Sequence, residues 1–333
     1  MNYIGSKLKL SAFLQQSIHS VAGNDLGTKT LCDIFAGTGI VGRAFKSFVK
    51  QVISNDIEQY SFVLNKNYIE NNIDIPEKLE YVKMLNELPP CETGFIYKNY
   101  CFAGSGERNY FSDDNGKKID AVRLQIEQWR NTNEIGENLY YFLLCSLLES
   151  ADKVANTASV YGAFLKHIKN SARKPLVIEP ALFEASETIH RVFRGDANEL
   201  VKKISGDTLY MDPPYNARQY GANYHLLNTI AEYKEFSPKG KTGLRDYTRS
   251  MYCSRASIKN QFEDLVKNAQ FKYLFLSYNN EGLMSVDEIR AIMSRYGRYD
   301  LFTQDYQRFK ADRAVNRTYT ADKTKEYLHV LEK

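Results

Sequence analysis

Residues 209–220, LYMDPPYNARQY, place an acid, two consecutive prolines and an aromatic at the end of an apolar run. Proline lacks a backbone donor and fixes φ, so a strand through that run stops here. A loop at the carboxyl end of a strand is where open α/β sheets place their ligands. Asp212 offers an anionic acceptor, Pro213 a carbonyl with no competing donor, and Tyr215 a flat face, with Pro214 stiffening the turn. Together these groups suit a planar ring that carries an amine. Two acceptors draw on the amino hydrogens while the ring stacks. The lone pair of an exocyclic amine such as adenine's is delocalised into the ring, so it is a poor nucleophile. Two acceptors favour the pyramidal, localised amine as it attacks a methyl group. Positioning and electrostatics suffice, and the chemistry requires no metal. A base inside a duplex cannot reach such a loop and must be flipped out and stacked. Read alone, four residues are also an ordinary rigid turn; their setting weighs against that.

The setting includes a second motif. DIFAGTGIVG carries GxGxxG at Gly37, Gly39 and Gly42, after an apolar strand candidate and before a helical pattern. Glycine allows the tight turn and lets a ligand approach the backbone. Asp56 closes the next strand candidate, where a carboxylate can accept from two ribose hydroxyls. Dinucleotide-binding and S-adenosylmethionine-binding sheets share this pattern. Asp33, just before the turn, suits a cationic cofactor and repels a pyrophosphate, a preference for the second.

These motifs need a scaffold. The chain has 333 residues, enough for a large α/β domain and a smaller one. Residues 6–20 have apolar positions at helical spacing. Strand–turn–helix units follow over roughly 29–75, and the same rhythm returns near 190, through DTLYMDPPY, the helix candidate YHLLNTIAEY, the strand FKYLFLSYNNEG, the helix SVDEIRAIMSRYG and a final strand EYLHVLEK. Between them lie helix candidates around AVRLQIEQWR and NLYYFLLCSLLESADKVA, then a basic, aromatic stretch. The expected organisation is a Rossmann-like α/β sheet domain built from residues 1–75 and 190–333, with residues 76–189 inserted as a mainly helical domain.

Composition sets outer bounds. No window reaches the apolar length of a membrane span, and the N-terminus lacks an export signal. Five scattered cysteines show neither CxxC spacing nor a disulfide framework, so no metal site and a reducing cytoplasm are expected. Net charge is only +4, so any nucleic-acid surface must come from local clusters. The 24 tyrosines suit contact with bases as well as half-buried packing.

In combination, YIGSK at the start, FAGTG, an inserted region and DPPY resemble the alpha-class adenine-N6 DNA methyltransferases, the DNA adenine methylase group, over most of the chain. That resemblance implies a Rossmann-like S-adenosylmethionine-dependent methyltransferase sheet with an inserted target-recognition domain, and S-adenosylmethionine as cofactor. It assigns Tyr3 and Lys7 to the cofactor's methionine end, Phe35, Gly37 and Gly39 to the turn beneath it, and Asp56 to its ribose. Asp196, in FRGDANEL, matches the acid that meets the cofactor's adenine, with Ala197 where the family usually has an aromatic. Asp212, Pro213, Pro214 and Tyr215 match the catalytic loop, and the leading aspartate resembles adenine-methylating enzymes.

Groups suited to double-stranded DNA follow the catalytic loop and recur in two basic clusters. Asn216, Arg218, Gln219, Tyr220, Asn223, Tyr224 and His225 crowd behind the catalytic loop, where phosphates of the strand bearing the flipped base are expected. His225 reads better as a hydrogen-bonded residue at a helix start than as a base. Lys166, Lys169, Arg173 and Lys174 in the insert form a basic stretch for phosphates and base edges, or else a solvated helix face. Arg308, Lys310, Arg313, Arg317, Lys323 and Lys325 form a second cluster, matching a closing loop that in the family lies against DNA. The asparagines of SYNNEG, residues 277–282, are expected to shape the pocket. A cognate restriction endonuclease acting as a separate protein is the implied partner, with a four-base palindrome such as CATG as target. An RNA adenine methyltransferase shares the chemistry, although the large insert favours a duplex reader. An NAD-binding oxidoreductase would account for the glycine turn but for neither YIGSK nor DPPY.

Overall fold

The computed structural model describes residues 7–307 and 323–333. One open sheet carries the molecule, with strands β1 (Thr30–Asp33), β2 (Gln51–Asp56), β3 (Arg191–Arg194), β4 (Ser205–Met211), β5 (Gln270–Asn279), β6 (Arg298–Gln307) and β7 (Lys323–Glu332). Their order is β3-β2-β1-β4-β5-β7-β6, and β7 alone runs antiparallel to its neighbours. The chain winds outward from β1 through β2 to β3, then restarts beside β1 with β4 and winds the other way. The switch point between β1 and β4 is where such sheets open a crevice. Asp33 ends β1 in register with Tyr210, two residues before Asp212.

Strand side chains alternate between two cores, as a period of two requires. Leu31, Val52, Tyr210, Phe275 and Leu328 face helices α1 (Ser11–Ala22) and α2 (Ile40–Phe45). Cys32, Ile53, Leu209, Leu274 and Leu276 face the other side. A third core joins α3 (Gln59–Asn65) to the inserted helices α4 (Lys78–Glu87), α5 (Phe95–Tyr100), α6 (Asp113–Asn131) and α7 (Glu137–Lys153). Buried nearly all round, α7 has neighbours on every side, which is why its sequence lacks an amphipathic stripe.

The chain then returns to the sheet through a segment whose only helical part is a short turn at Asn170–Arg173. The basic stretch is therefore a loop and not a helix face. After β3 come α8 (Ala197–Val201), α9 (Tyr220–Asn223), α10 (His225–Glu232), α11 (Ile258–Asn268) and α12 (Val286–Met293). The N-terminus of α12 is closed by a capping box between Ser285 and Glu288. All seven described strands lie outside residues 76–189, while the inserted helices share their core with α3 and α10. Among the described residues no helix is long and apolar enough to cross a membrane.

Candidate active site

The glycine turn is built by backbone conformation and close approach. Gly37 and Gly39 have φ of 52° and 74°, the left-handed region that side chains disfavour. A Cβ on Gly39 would also lie 2.7 Å from Asn65 Oδ1. That asparagine donates to the Gly37 carbonyl at 3.1 Å, so α3 locks the turn from behind. Gly39→Ala is expected to destabilise the fold by about 1–2 kcal/mol from the left-handed backbone alone, read as a lower denaturant midpoint. An unchanged midpoint would show that the turn relaxes freely.

Carboxylates crowd the crevice that this turn borders. Asp56 Oδ2 accepts from Gly37 N–H at 2.8 Å, and its Oδ1 accepts from Glu58 N–H at 2.9 Å. Asp33 is buried, and its Oδ1 has no hydrogen-bond partner. Burial, then the charges of Asp212 and Asp56, push the Asp33 carboxyl well above the usual range. Burial also raises Asp56, against the hydrogen bonds it accepts. Glu58, hydrogen-bonded by Asn228 Nδ2, is pushed up to about 7 by burial and by Asp56.

Against these acids stands one buried ammonium. Lys7 Nζ lies 3.0 Å from Asp212 Oδ1 and 3.3 Å from Glu326 Oε1. Burial opposes its charge, but Asp212 and Glu326 outweigh that and hold its pKa well above the ordinary value. Burial likewise raises Asp212, with Lys7 working in the opposite direction.

Lys7, Phe35, Gly37, Asp56, Asp196, Asp212, Pro214 and Tyr220, all expected from the sequence, line one cleft that opens to solvent, about 1090 Å³ with the open space at its mouth included. Gly39 is not among the lining residues. Asp196 is exposed and caps α8, its Oδ1 accepting from Asn198 and Glu199 N–H. Pro213 is buried. The Tyr215 ring stands edge-on to Tyr278 at 6.3 Å, and its carbonyl accepts from Leu283 N–H at 2.9 Å. The SYNNEG turn thus braces the DPPY loop. Tyr3 and Arg317, like Arg308, Lys310 and Arg313, lie outside the described residues.

The other groups proposed for DNA separate. Asn216 Oδ1 accepts from Arg218 N–H at 2.9 Å and shapes the turn, leaving the Arg218 side chain exposed. Tyr220 faces the cleft and stacks on Tyr224 at 6.0 Å. Tyr224 and His225 are wholly buried, so neither stands at a phosphate-facing surface. His225 begins α10 and bonds the Tyr161 carbonyl at 3.1 Å, a helix-start residue as its sequence position suggests. In the insert, Lys166 and Arg173 are exposed, whereas the Lys169 ammonium is held by the Thr157 carbonyl at 2.8 Å.

Three contributors were not legible as site residues. Glu58 and the segment 248–252 line the cleft, and Gln219 clamps that segment by paired hydrogen bonds with Ser250. Tyr252 from this segment stands edge-on to Phe35 at 5.1 Å. The third is Glu326, whose signal was an acid in step with Leu328 and Val330 on the buried face of β7.

A doubly wound sheet with its crevice at the switch point, a glycine turn on one side and an acid–proline–proline–aromatic loop on the other defines a Rossmann-like methyltransferase. The chain belongs to the D12 class N6 adenine-specific DNA methyltransferase family, which it matches over residues 3–292. It is 63% identical over 333 residues to the Type II methyltransferase M.NlaIII of Neisseria lactamica, covering 100% of this chain and 99% of that protein. It is 37% identical over 317 residues to M.CviAII of Paramecium bursaria Chlorella virus 1, covering 93% of each. A further match, at 35% over 348 residues, is to M.FokI of Planomicrobium okeanokoites, covering 100% of this chain and 53% of that longer protein. The protein is a site-specific, adenine-specific DNA methyltransferase of the restriction-modification type.

Proposed function

We propose that the protein moves a methyl group from S-adenosylmethionine to N6 of an adenine flipped out of a short duplex sequence. The observation that carries the choice of cofactor is the set of four carboxylates, Asp33, Asp56, Glu58 and Asp212, that line the cleft around the buried ammonium of Lys7, with exposed Arg249 the other basic side chain on the lining. Such a cleft attracts a ligand bearing a sulfonium and an α-ammonium and repels a dinucleotide's pyrophosphate. The unpartnered Asp33 Oδ1 fits the same cationic ligand.

When bound, S-adenosylmethionine supplies a methyl on a positive sulphur, which becomes a neutral thioether as the N–C bond forms. We assign Asp56 to the ribose hydroxyls, Asp196 to the adenine, Phe35 and Gly37 to the floor and Lys7 to the methionine end, a role the sequence resemblance also gives Tyr3. Asp212 and the Pro213 carbonyl orient the target amine, and Tyr215 offers its face to the base. Lys7 occupies Oδ1 of Asp212, which leaves Oδ2 for the amine. Asp212 need not act as a full base, because the proton leaves after attack, when the nitrogen is cationic and acidic. Residues 76–189 are assigned target reading, with Lys166 and Arg173 as exposed phosphate ligands; a separate endonuclease cutting the same sequence is the natural counterpart.

The test is expression in a host without DNA methylation, followed by single-molecule, modification-sensitive sequencing of the genome. N6-methyladenine confined to one short motif, with CATG the expected target, is the predicted result. An unmethylated genome from protein that still binds S-adenosylmethionine would move the substrate to RNA, and loss of cofactor binding as well would sink the whole reading.

A further inference from the structure

An acid on the buried face of a sheet strand needs a reason. Glu326 lies on β7 opposite Asn279 of β5 and Gln304 of β6, and is 6% exposed. Its ion-pair partner is Lys7, at 3.3 Å, and that same ammonium reaches Asp212 at 3.0 Å. Two carboxylates therefore share one cation, and the three groups together carry a net negative charge. We propose that Glu326 is a positioning residue for methyl transfer, which draws Lys7 part of the way off Asp212 so that Asp212 accepts strongly from the target amine. The inference rests on the function proposed above.

An ammonium bonded fully to Asp212 would withdraw electron density from the acceptor that must localise the amine's lone pair. With Glu326 as a second anion, the ammonium is divided between them. During transfer, positive charge leaves the sulphur and develops on the amine beside Asp212. A net negative triad stabilises that charge, and a neutral one does not. Glu326 itself touches neither ligand in this arrangement, since the cleft lining includes Lys7 and Asp212 and not Glu326.

The experiment compares wild-type protein, Glu326→Gln and Glu326→Asp on duplex DNA grown in a methylation-free host, by single-turnover transfer of tritium-labelled methyl from S-adenosylmethionine. Glutamine keeps the size and an acceptor for Lys7 but removes the charge. The transfer rate of Glu326→Gln is expected to fall by about 10- to 100-fold, with cofactor Kd changed by less than about threefold and melting temperature near wild type. Glu326→Asp, which retains the charge, should recover part of the rate. A wild-type rate in Glu326→Gln overturns the positioning role alone, as does a loss that cofactor Kd fully accounts for. Should the glutamine variant not fold, Glu326→Ser, which also removes the charge, decides: reduced transfer with unchanged Kd supports the proposal, and a wild-type rate ends it. Silence of the wild-type protein on this DNA would instead condemn the function on which the inference rests.

Discussion

Asp212→Ala should lower the rate of methyl transfer by at least about a thousandfold, roughly 4 kcal/mol at 1.36 kcal/mol per decade. The carboxylate sits at the mouth of the switch-point crevice, with one oxygen on Lys7 and the other directed to no described partner. Alanine removes the acceptor that localises the amine's lone pair, and the Pro213 carbonyl alone cannot set the amine's geometry. Cofactor affinity should change by only a few-fold. Lys7 keeps Glu326 as a counter-ion, and the carboxyls of Asp33, Asp56 and Glu58 still line the cleft. Single-turnover transfer and calorimetric titration with S-adenosylmethionine separate these quantities. A variant that methylates within tenfold of wild type would remove Asp212 from the mechanism. Asp212→Asn retains an acceptor oxygen without the charge, so a rate between those of wild type and alanine would divide geometry from electrostatics.

The parts of this site that were legible in the sequence are those in which a few adjacent residues define both a turn and its chemistry. FAGTG marks a strand-to-helix turn, Asp56 marks the end of a strand, and DPPY marks a strand end that carries an acid. The strands β1, β2 and β4 follow from the same motifs. Both edges of the sheet did not, for a physical reason. β3 reads RVFR and β6 reads RYDLFTQDYQ, short or polar runs of the kind that edge strands carry to resist pairing with other chains. Tyrosine content was equally ambiguous. Tyr100 and Tyr110 are core residues whose hydroxyls donate to the carbonyls of Gly243 and Tyr161, both at 2.7 Å. Residue type cannot distinguish that use from a base platform. Charge misleads in the same way at Lys169, where the ammonium closes a loop. The Lys7–Glu326 contact joins the two ends of the chain, so no local pattern could announce it.

Lys7→Met is expected to move the acid limb of the pH–rate profile upward, so that the loss at neutral pH is at least about tenfold, one pKa unit, and shrinks as pH rises. Asp212 faces Lys7, Glu326, Asp33, Tyr210 and Tyr215. Of these only Lys7 favours the ionised form; burial already raises the Asp212 carboxyl, and the lysine restrains it. Without the ammonium, burial and the neighbouring carboxylates act unopposed, and Asp212 spends more of its time protonated. A protonated carboxyl donates one hydrogen and cannot accept as strongly from the amine. Stability should follow the opposite trend. The variant's buried carboxyls have folded-state pKa values above their unfolded ones, so the native state binds more protons than the unfolded chain. Linkage then makes stability fall as pH rises from the ordinary carboxylate range toward the raised folded value. Breaking a buried pair by removing one partner costs about 3–5 kcal/mol when the remaining charge stays unpaired. Proton uptake offsets part of that at low pH and none of it at high pH. Activity should therefore improve over the same interval in which the melting temperature declines, a divergence that general damage to the fold would not produce. An acid limb at its wild-type position would show that Asp212 keeps its charge without Lys7. The ion pair would then belong to the architecture and not to the chemistry.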